Sequence, residues 1–140
     1  MEERNTLTTP ALEELFKQHP LYSQDGLGNE AVVLARYFLP ATNWAWYVLE
    51  AGRIEVDEET AKQAGITPGS TWECYGITIN ENVPKGERGY FWLSQLEAIT
   101  LQVPLVDATG AVIARIPQHV ELDRHFNGKK VKDIKPLQID

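Results

Sequence analysis

The sequence is poor in cysteine, in histidine and in long apolar runs. Cys74 is the only cysteine among 140 residues, so an internal disulfide is excluded, and no set of cysteines and histidines has the spacing of a zinc site. No apolar run approaches the ~18 residues of a membrane span, and the charged first residues do not resemble a signal peptide. We therefore expect a cytoplasmic protein with no membrane partner.

Basic residues are also scarce, because 13 lysines and arginines stand against 20 acidic residues and the formal net charge is −7. A general nucleic-acid binder needs clustered basic side chains to displace counterions from phosphates, so no direct nucleic-acid partner is expected. Residues 127–140 carry four lysines and two aspartates, a net charge of +2, which leaves −9 on residues 1–126. The chain is an acidic body with a basic tail.

Helix caps and apolar spacing predict three short helices. Thr9 caps an N-terminal helix that ends before Pro20. Asp57 caps a second helix that reaches Ala64, and Ser94 caps a third.

Runs of aromatic and β-branched residues, separated by turn residues, predict antiparallel strands. Gly52 is expected to end the second strand of an aromatic hairpin, and Pro117 is expected to break a later strand. The predicted strands are 31–39, 44–49, 71–80, 89–93, 103–106, 111–116 and 120–126. Together with the helices they predict a single α+β domain over residues 1–126, built on an antiparallel sheet of about four to six strands.

The basic C-terminal tail, residues 127–140, contains few large apolar residues, and Val131, Ile134 and Leu137 stand isolated in it. By itself such a segment is flexible. A tail that packs on a neighbouring chain would give a homodimer, and the sequence leaves that assembly open.

The most catalytic-looking segment contains Glu121, Asp123 and His125. If residues 120–126 form one strand, alternation places these three side chains on the same face. Two carboxylates and an imidazole can bind a divalent metal or serve as acid and base. Charges that protect an exposed edge strand from pairing give the same pattern, so no catalytic, metal or cofactor site is expected in the leading interpretation.

A second group of residues favours protein binding. Trp44 and Trp46 lie in the aromatic hairpin, and tryptophan is enriched in protein-interface hot spots. The densest acidic stretch follows directly and supplies Glu50, Glu55, Asp57, Glu58 and Glu59. A solvated surface that keeps the protein soluble explains these acids equally well. The functional alternative is an acidic face that binds a basic surface on a partner protein.

A family resemblance is carried by Leu21–Tyr22, Tyr37–Phe38 with Pro40, Asn43–Tyr47, Tyr75–Gly76, Gly89–Glu97 and Glu121–Phe126. The stretch 89–97 reads Gly-Tyr-Phe-x-Leu-Ser-x-Leu-Glu and is the most specific. Together they resemble a family of small uncharacterised bacterial proteins, a domain of unknown function, carried by plasmids, conjugative elements and phages. The segments 57–64 and 107–110 depart from that pattern and look like insertions.

The resemblance implies an accessory gene of a mobile element, and such elements carry small acidic proteins that block CRISPR or restriction complexes. The leading hypothesis is therefore a non-enzymatic protein-binding module, an acidic inhibitor of a host defence complex with no cofactor. The alternative is a metal-dependent enzyme that acts on nucleic acid through Glu121, Asp123 and His125.

Overall fold

The computed structural model describes residues 7–135 and residue 137. Its helices are α1 (Pro10–Gln18), α2 (Glu58–Ala64) and α3 (Leu93–Glu97), with single-turn 3-10 helices at Gly28–Glu30 and Val131–Asp133. Its strands are β1 (Val32–Val33), β2 (Ala35–Phe38), β3 (Ala45–Val56), β4 (Gly69–Ile79), β5 (Glu87–Trp92), β6 (Thr100–Val106), β7 (Val112–His119), β8 (Glu121–Leu122) and β9 (Lys129–Lys130). None of the helices in these residues is long and apolar enough to span a membrane.

The strands form one antiparallel sheet of five strands in the order β5-β4-β3-β2-β8, together with two separate strand pairs, β1–β9 and β6–β7. The predicted α+β class, the N-terminal helix, the two further short helices and the strand number are confirmed. The central pair is β3–β4, which runs in register from Ala45 opposite Ile79 to Val56 opposite Gly69. A bulge between Val48 and Glu50 interrupts that register once.

Local cap signals explain where two of the helices begin and end. The Thr9 hydroxyl accepts a hydrogen bond from Leu12 N at 3.1 Å, and the Asp57 carboxylate accepts one from Thr60 N at 2.7 Å. This bond lowers the pKa of Asp57. Gly65 adopts the left-handed conformation with φ 71°, which ends α2 as predicted.

Ser94 is not a helix cap, so that prediction is wrong. Helix α3 begins two residues earlier, with Trp92 at the N-cap position, and the Gln95 side chain accepts a hydrogen bond from Trp92 N at 3.1 Å. Ser94 is buried in the first turn, where its N–H donates to the Thr71 hydroxyl. Packing against β4 therefore decides the start of the helix.

Two predicted strand ends are also wrong. Strand β3 continues through Gly52 to Val56 because Gly52 pairs with Glu73 on β4. Strand β7 continues through Pro117, which lies opposite Gln102 on β6. A proline tolerates this position because, among the residues that the structure describes, β7 has no second neighbouring strand that would need its N–H.

The five-stranded sheet has a hydrophobic cluster on each side. The first cluster contains the buried side chains that lie with α1 and α3, among them Phe16, Tyr37, Trp46, Trp72 and Leu96. Phe16 and Trp72 meet edge to face with ring centroids 5.2 Å apart. The second cluster contains Tyr47, Leu49, Ile77, Val131, Ile134 and Leu137. The central strands are thus covered on both faces, as the apolar run 44–49 predicts.

The segment set apart as a basic tail, flexible by itself, lies against its own sheet in residues 127–135 and 137. Val131, Ile134 and Leu137 are buried in the second cluster, and β9 pairs with β1. Lys130 and Lys132 both donate to Glu30, at 2.9 and 2.8 Å. These apolar side chains pack within the chain. Residues 136 and 138–140 lie outside the described residues.

Gly76 is required by the close approach of β3. A Cβ atom at this position would lie 1.8 Å from the Tyr47 carbonyl oxygen, a contact that only a backbone shift can relieve. We expect Gly76→Ala to lower the free energy of unfolding by at least ~3 kcal/mol, measured by urea denaturation. The control is Gly89→Ala, because Gly89 lies directly opposite Gly76 and a Cβ there meets open space. A change within ~0.5 kcal/mol is expected for the control. Equal losses in both variants would contradict the close-approach argument.

The contacts with Lys132 and Lys130 lower the pKa of Glu30 from 4.5 to about 2. Because the folded-state pKa is lowered, the contribution of Glu30 to stability is present above pH ~4.5 and is lost as the pH falls toward 2. The unfolding free energy of the wild type should therefore fall more steeply over this range than that of Glu30→Gln, in urea titrations at stepped pH. The three side chains are half exposed, so the difference should be small and should shrink with added salt. Identical pH slopes in the two proteins would contradict this assignment.

Candidate protein-binding surface

The structure does not place Glu121, Asp123 and His125 on one strand. Strand β8 ends at Leu122, and the Asp123 N–H continues the pairing with the Arg36 carbonyl at 2.9 Å. The Asp123 carboxylate then accepts hydrogen bonds from the Arg36 guanidinium at 3.1 Å and from His125 N at 3.0 Å. The alternation that would align the three side chains is therefore wrong, because a turn held by Asp123 replaces the strand.

In residues 7–135 and 137, no group of three or more histidine, cysteine, aspartate or glutamate side chains is arranged to hold a metal ion. Cys74 is fully buried in the first hydrophobic cluster, and burial raises the pKa of its thiol above the ordinary value. The thiol therefore stays protonated and unreactive at neutral pH.

Glu50 lies inside the protein and not on an acidic surface. It is 4% exposed, and its two carboxylate oxygens accept hydrogen bonds from Tyr22 N at 2.7 Å and Gln24 N at 2.9 Å. Tyr22 has a φ of 74°, a strained value for a bulky residue, and the bond to Glu50 holds it there. The Gln24 side chain bonds the backbone of Val32 and Leu49. Glu50 thus holds the loop 20–31 against β3.

The remaining predicted partner-binding residues fall into two separated groups. Trp46 is buried in the core and contacts the half-buried Trp44 edge to face at 6.3 Å. Glu55, Asp57, Glu58 and Glu59 are exposed. Trp44 precedes the first residue of β3 and Asp57 follows the last, so the twelve residues of the strand, on the order of 40 Å, separate Trp44 from Asp57. The predicted aromatic and acidic residues therefore lie toward opposite ends of β3.

The most exposed apolar surface lies elsewhere, on the hairpin formed by β6 and β7. This hairpin, residues 100–119, is called the arm below. Its strands pair with each other and with no other strand in the described residues. Six of the ten large apolar or aromatic side chains that are exposed in 7–135 and 137 belong to the arm. They are Leu101, Leu105, Val106, Val112, Ile113 and Ile116.

The arm has an ordered tip and one apolar face. Asp107 accepts hydrogen bonds from Thr109 N, the Thr109 hydroxyl and Ala111 N, which lowers the pKa of Asp107 and fixes the turn. Ile113 is the extra residue at a bulge and is 62% exposed at the tip. Directly opposite residues share a face of a strand pair. One face therefore combines Leu101, Val103 and Leu105 of β6 with Ala114, Ile116 and Gln118 of β7.

An apolar groove adjoins the base of the arm. It has a volume of about 430 Å³, and its lining includes Leu39, Trp44, Ile99 and Leu101. Leu101 also belongs to the apolar face of the arm, so groove and face are continuous. The carboxylate of Glu81 at the groove accepts a hydrogen bond from the Trp44 indole N–H, which lowers the pKa of Glu81. We call this feature the base groove.

The sequence predicts strands at 103–106 and 111–116 but does not show that their hairpin stands apart from the five-stranded sheet. A usable signal is nevertheless present, because Pro104 in β6 and Pro117 in β7 each lack an N–H. Proline excludes a strand from the middle of a sheet. A proline in both strands of one hairpin therefore indicates a pair with two free edges.

Comparisons of the chain with protein-family models, with curated proteins and with solved structures find no match. The resemblance to a family of mobile elements stays a prediction.

Replacing Glu50 tests whether it is structural. A glutamine offers one acceptor oxygen and places an NH₂ group against a backbone N–H, so Glu50→Gln should lose about 2 kcal/mol of unfolding free energy. Glu55→Gln is the matched control, since Glu55 lies on the same strand and is exposed; it should change stability by less than ~0.5 kcal/mol. Chemical denaturation of both variants gives the measurement. A Glu50→Gln protein as stable as the control would contradict the role of Glu50 in holding the loop against β3.

Proposed function

We propose that the chain is a non-enzymatic protein-binding module whose docking surface is the arm together with the base groove. The observation that carries the proposal is the exposure of the arm: every residue of β6 and β7 is exposed except the half-exposed Val103 and Gln118. An isolated two-stranded hairpin is marginally stable in water. Burying its apolar face against another protein stabilises the hairpin and the complex together.

The composition of the arm supports a protein partner over nucleic acid. Residues 100–119 contain one arginine, Arg115, and no lysine, so the arm lacks the basic charge that phosphate binding requires. A contiguous exposed apolar patch on a monomer typically marks an interface. Burial of one large aliphatic side chain contributes about 2 kcal/mol, or ~30-fold in affinity.

The exposed acids Glu55, Glu58 and Glu59 offer a second surface, the one that the sequence favours. Because Glu50 is buried and Asp57 caps α2, this acidic group is smaller than the sequence indicates. Inhibition of a host CRISPR or restriction complex through these acids stays a prediction that rests on the resemblance and on charge. The same is true of metal-dependent chemistry at Glu121, Asp123 and His125.

Site-specific photocrosslinking in bacterial cells tests the docking surface. A benzoylphenylalanine replaces Ile113 at the arm tip in one protein and Glu58 on α2 in another, and both side chains are exposed. We expect protein adducts at position 113 at least about tenfold more abundant than at position 58, because hot-spot contacts concentrate at apolar anchors. Mass spectrometry identifies the protein captured at each position.

The proposal fails if position 113 gives no protein adduct. Adducts confined to position 58 that disappear at high salt would instead support the acidic face, because exposed charge pairs are screened.

A further inference from the structure

We infer that the protein binds a small organic phosphate in a cavity between the five-stranded sheet and the C-terminal segment, residues 127–135. The cavity has a volume of about 350 Å³, which lies within the range of small-molecule sites. Its lining includes Arg36, Tyr47, Phe126, Lys129, Ile134 and Lys135. We call it the lysine cavity. The inference concerns a second site and does not rest on the proposed function of the arm.

The four lysines of the C-terminal segment divide into two pairs with different surroundings. Lys130 and Lys132 bind Glu30 and attach the segment to the rest of the protein. Lys129 and Lys135 line the lysine cavity and make no ion pair within residues 7–135 and 137. Because side chains alternate along a strand, Lys129 and Lys130 of β9 point to opposite sides. Attachment at Glu30 therefore accounts for one pair only, and the second pair presents two cations to the cavity.

Arg36 is held in place before any ligand binds. Its Nη1 donates to the Asp123 carboxylate at 3.1 Å, and its Nε donates to the Tyr47 hydroxyl at 3.2 Å. The guanidinium carbon lies 5.1 Å from the centre of the Phe38 ring. A guanidinium group has five N–H donors, so donors remain after these two bonds. An arginine that is already oriented binds phosphate oxygens with little further loss of side-chain entropy.

The Tyr47 hydroxyl is a buried donor at the same cavity. Tyr47 is 3% exposed, and its hydroxyl oxygen accepts the bond from Arg36 Nε. Within the described ranges 7–135 and 137, no oxygen accepts the Tyr47 O–H in return. Buried polar groups ordinarily have hydrogen-bond partners. Because Tyr47 and Arg36 both line the cavity, one oxygen of an anion held by Arg36 can also accept this O–H.

The charge around the cavity favours an anion although the chain as a whole is acidic. Three cations line the cavity together with one carboxylate, Asp133, and Asp123 lies beside Arg36. The sum of these five groups is +1, on a chain of net charge −7. A phosphate monoester carries a charge of about −1.5 to −2 at neutral pH and offers three acceptor oxygens. It therefore matches three cationic donors and a hydroxyl better than a carboxylate, which has one charge and two oxygens.

The apolar part of the lining favours a phosphate that carries an organic group. Phe126 is half-buried and meets the Tyr47 ring edge to face, with the ring centroids 6.4 Å apart. Ile134 is buried beside the cations. Small-molecule sites combine such apolar walls with a few polar groups that fix the orientation of the ligand. The carbon part of the ligand can thus pack on Phe126 while the cations bind its phosphate.

A ¹⁵N–¹H NMR titration of the full-length chain tests the inference, with phenyl phosphate as the probe. We expect the amide shifts to concentrate in residues 129–135 and at Arg36 and Tyr47. Inorganic phosphate, benzoate and phenol are the comparison compounds, because each lacks either the ring or the phosphate. The dissociation constant of phenyl phosphate should be at least about fivefold lower than that of each of them, and it should rise with added salt.

Paired charge variants locate the site. The double variant Lys129→Gln, Lys135→Gln should weaken phenyl phosphate binding at least about tenfold. The double variant Lys62→Gln, Lys85→Gln removes the same charge from exposed positions on α2 and between β4 and β5, and it should change the affinity less than about twofold. Asp133→Asn should strengthen binding, because it removes a carboxylate from the cavity lining. All five positions are exposed, so the fold should persist, and circular dichroism verifies it.

Tyr47→Phe tests the buried donor, because it removes the hydroxyl and keeps the ring. It should weaken phenyl phosphate binding about fivefold or more. An affinity unchanged in both Tyr47→Phe and the Lys129, Lys135 double variant would overturn the inference.

No binding at millimolar phenyl phosphate, or amide shifts confined to other parts of the chain, would also overturn the inference. Equal affinity for benzoate would overturn the assignment of a phosphate, and equal affinity for inorganic phosphate would overturn the role of the organic group. Equal losses in the two double variants would indicate nonspecific attraction and overturn the site. The docking function of the arm stands or fails separately, through the crosslinks at position 113.

Discussion

The pairing of β3 with β4 is the interaction on which the rest of the fold depends. Eleven residue pairs join the two strands, and Gly76 allows the Tyr47 carbonyl of β3 to approach more closely than any side chain would permit. Both faces of the β3–β4 pair are apolar, so each face must pack against another part of the protein. Helices α1 and α3 pack on one face, and the C-terminal segment packs on the other. The lysines that give the segment its charge then hold it at Glu30.

Features that depend on a few neighbouring residues were predictable from the sequence. Thr9, Asp57 and Gly65 act on backbone groups within their own helix turn, so their roles follow from residue type and spacing. The errors fall where distant residues decide. Gly52 extends a strand because Glu73 lies opposite it, and Ser94 is an interior residue because Thr71 bonds its backbone. Such partners cannot be read from a local window.

The candidate site was less predictable than the fold for the same reason. Glu50 looks like part of an acidic run, but its partners Tyr22 and Gln24 lie 28 and 26 residues away. Trp46 looks like an interface residue, but α1 and the sheet bury it. The arm is the opposite case. An apolar strand pattern ordinarily indicates burial within the same chain, but the strands of the arm are exposed. Pro104 in β6 and Pro117 in β7 are the local sign that this strand pair, in the described residues, does not join the five-stranded sheet.

Net charge and the arm together determine how the molecule can associate. Acidic surfaces repel one another, but at physiological ionic strength the repulsion decays over about 8 Å. Strands of seven and eight residues make the arm about 25 Å long, with apolar side chains and one carboxylate, Asp107, at its tip. The negative charge of the body therefore opposes nonspecific contact between two copies. The arm presents an apolar surface, and salt does not screen its attraction to another apolar surface. An exposed apolar hairpin is a hazard in a neutral protein because it invites aggregation. On a body of net charge −7, repulsion between copies opposes such aggregation.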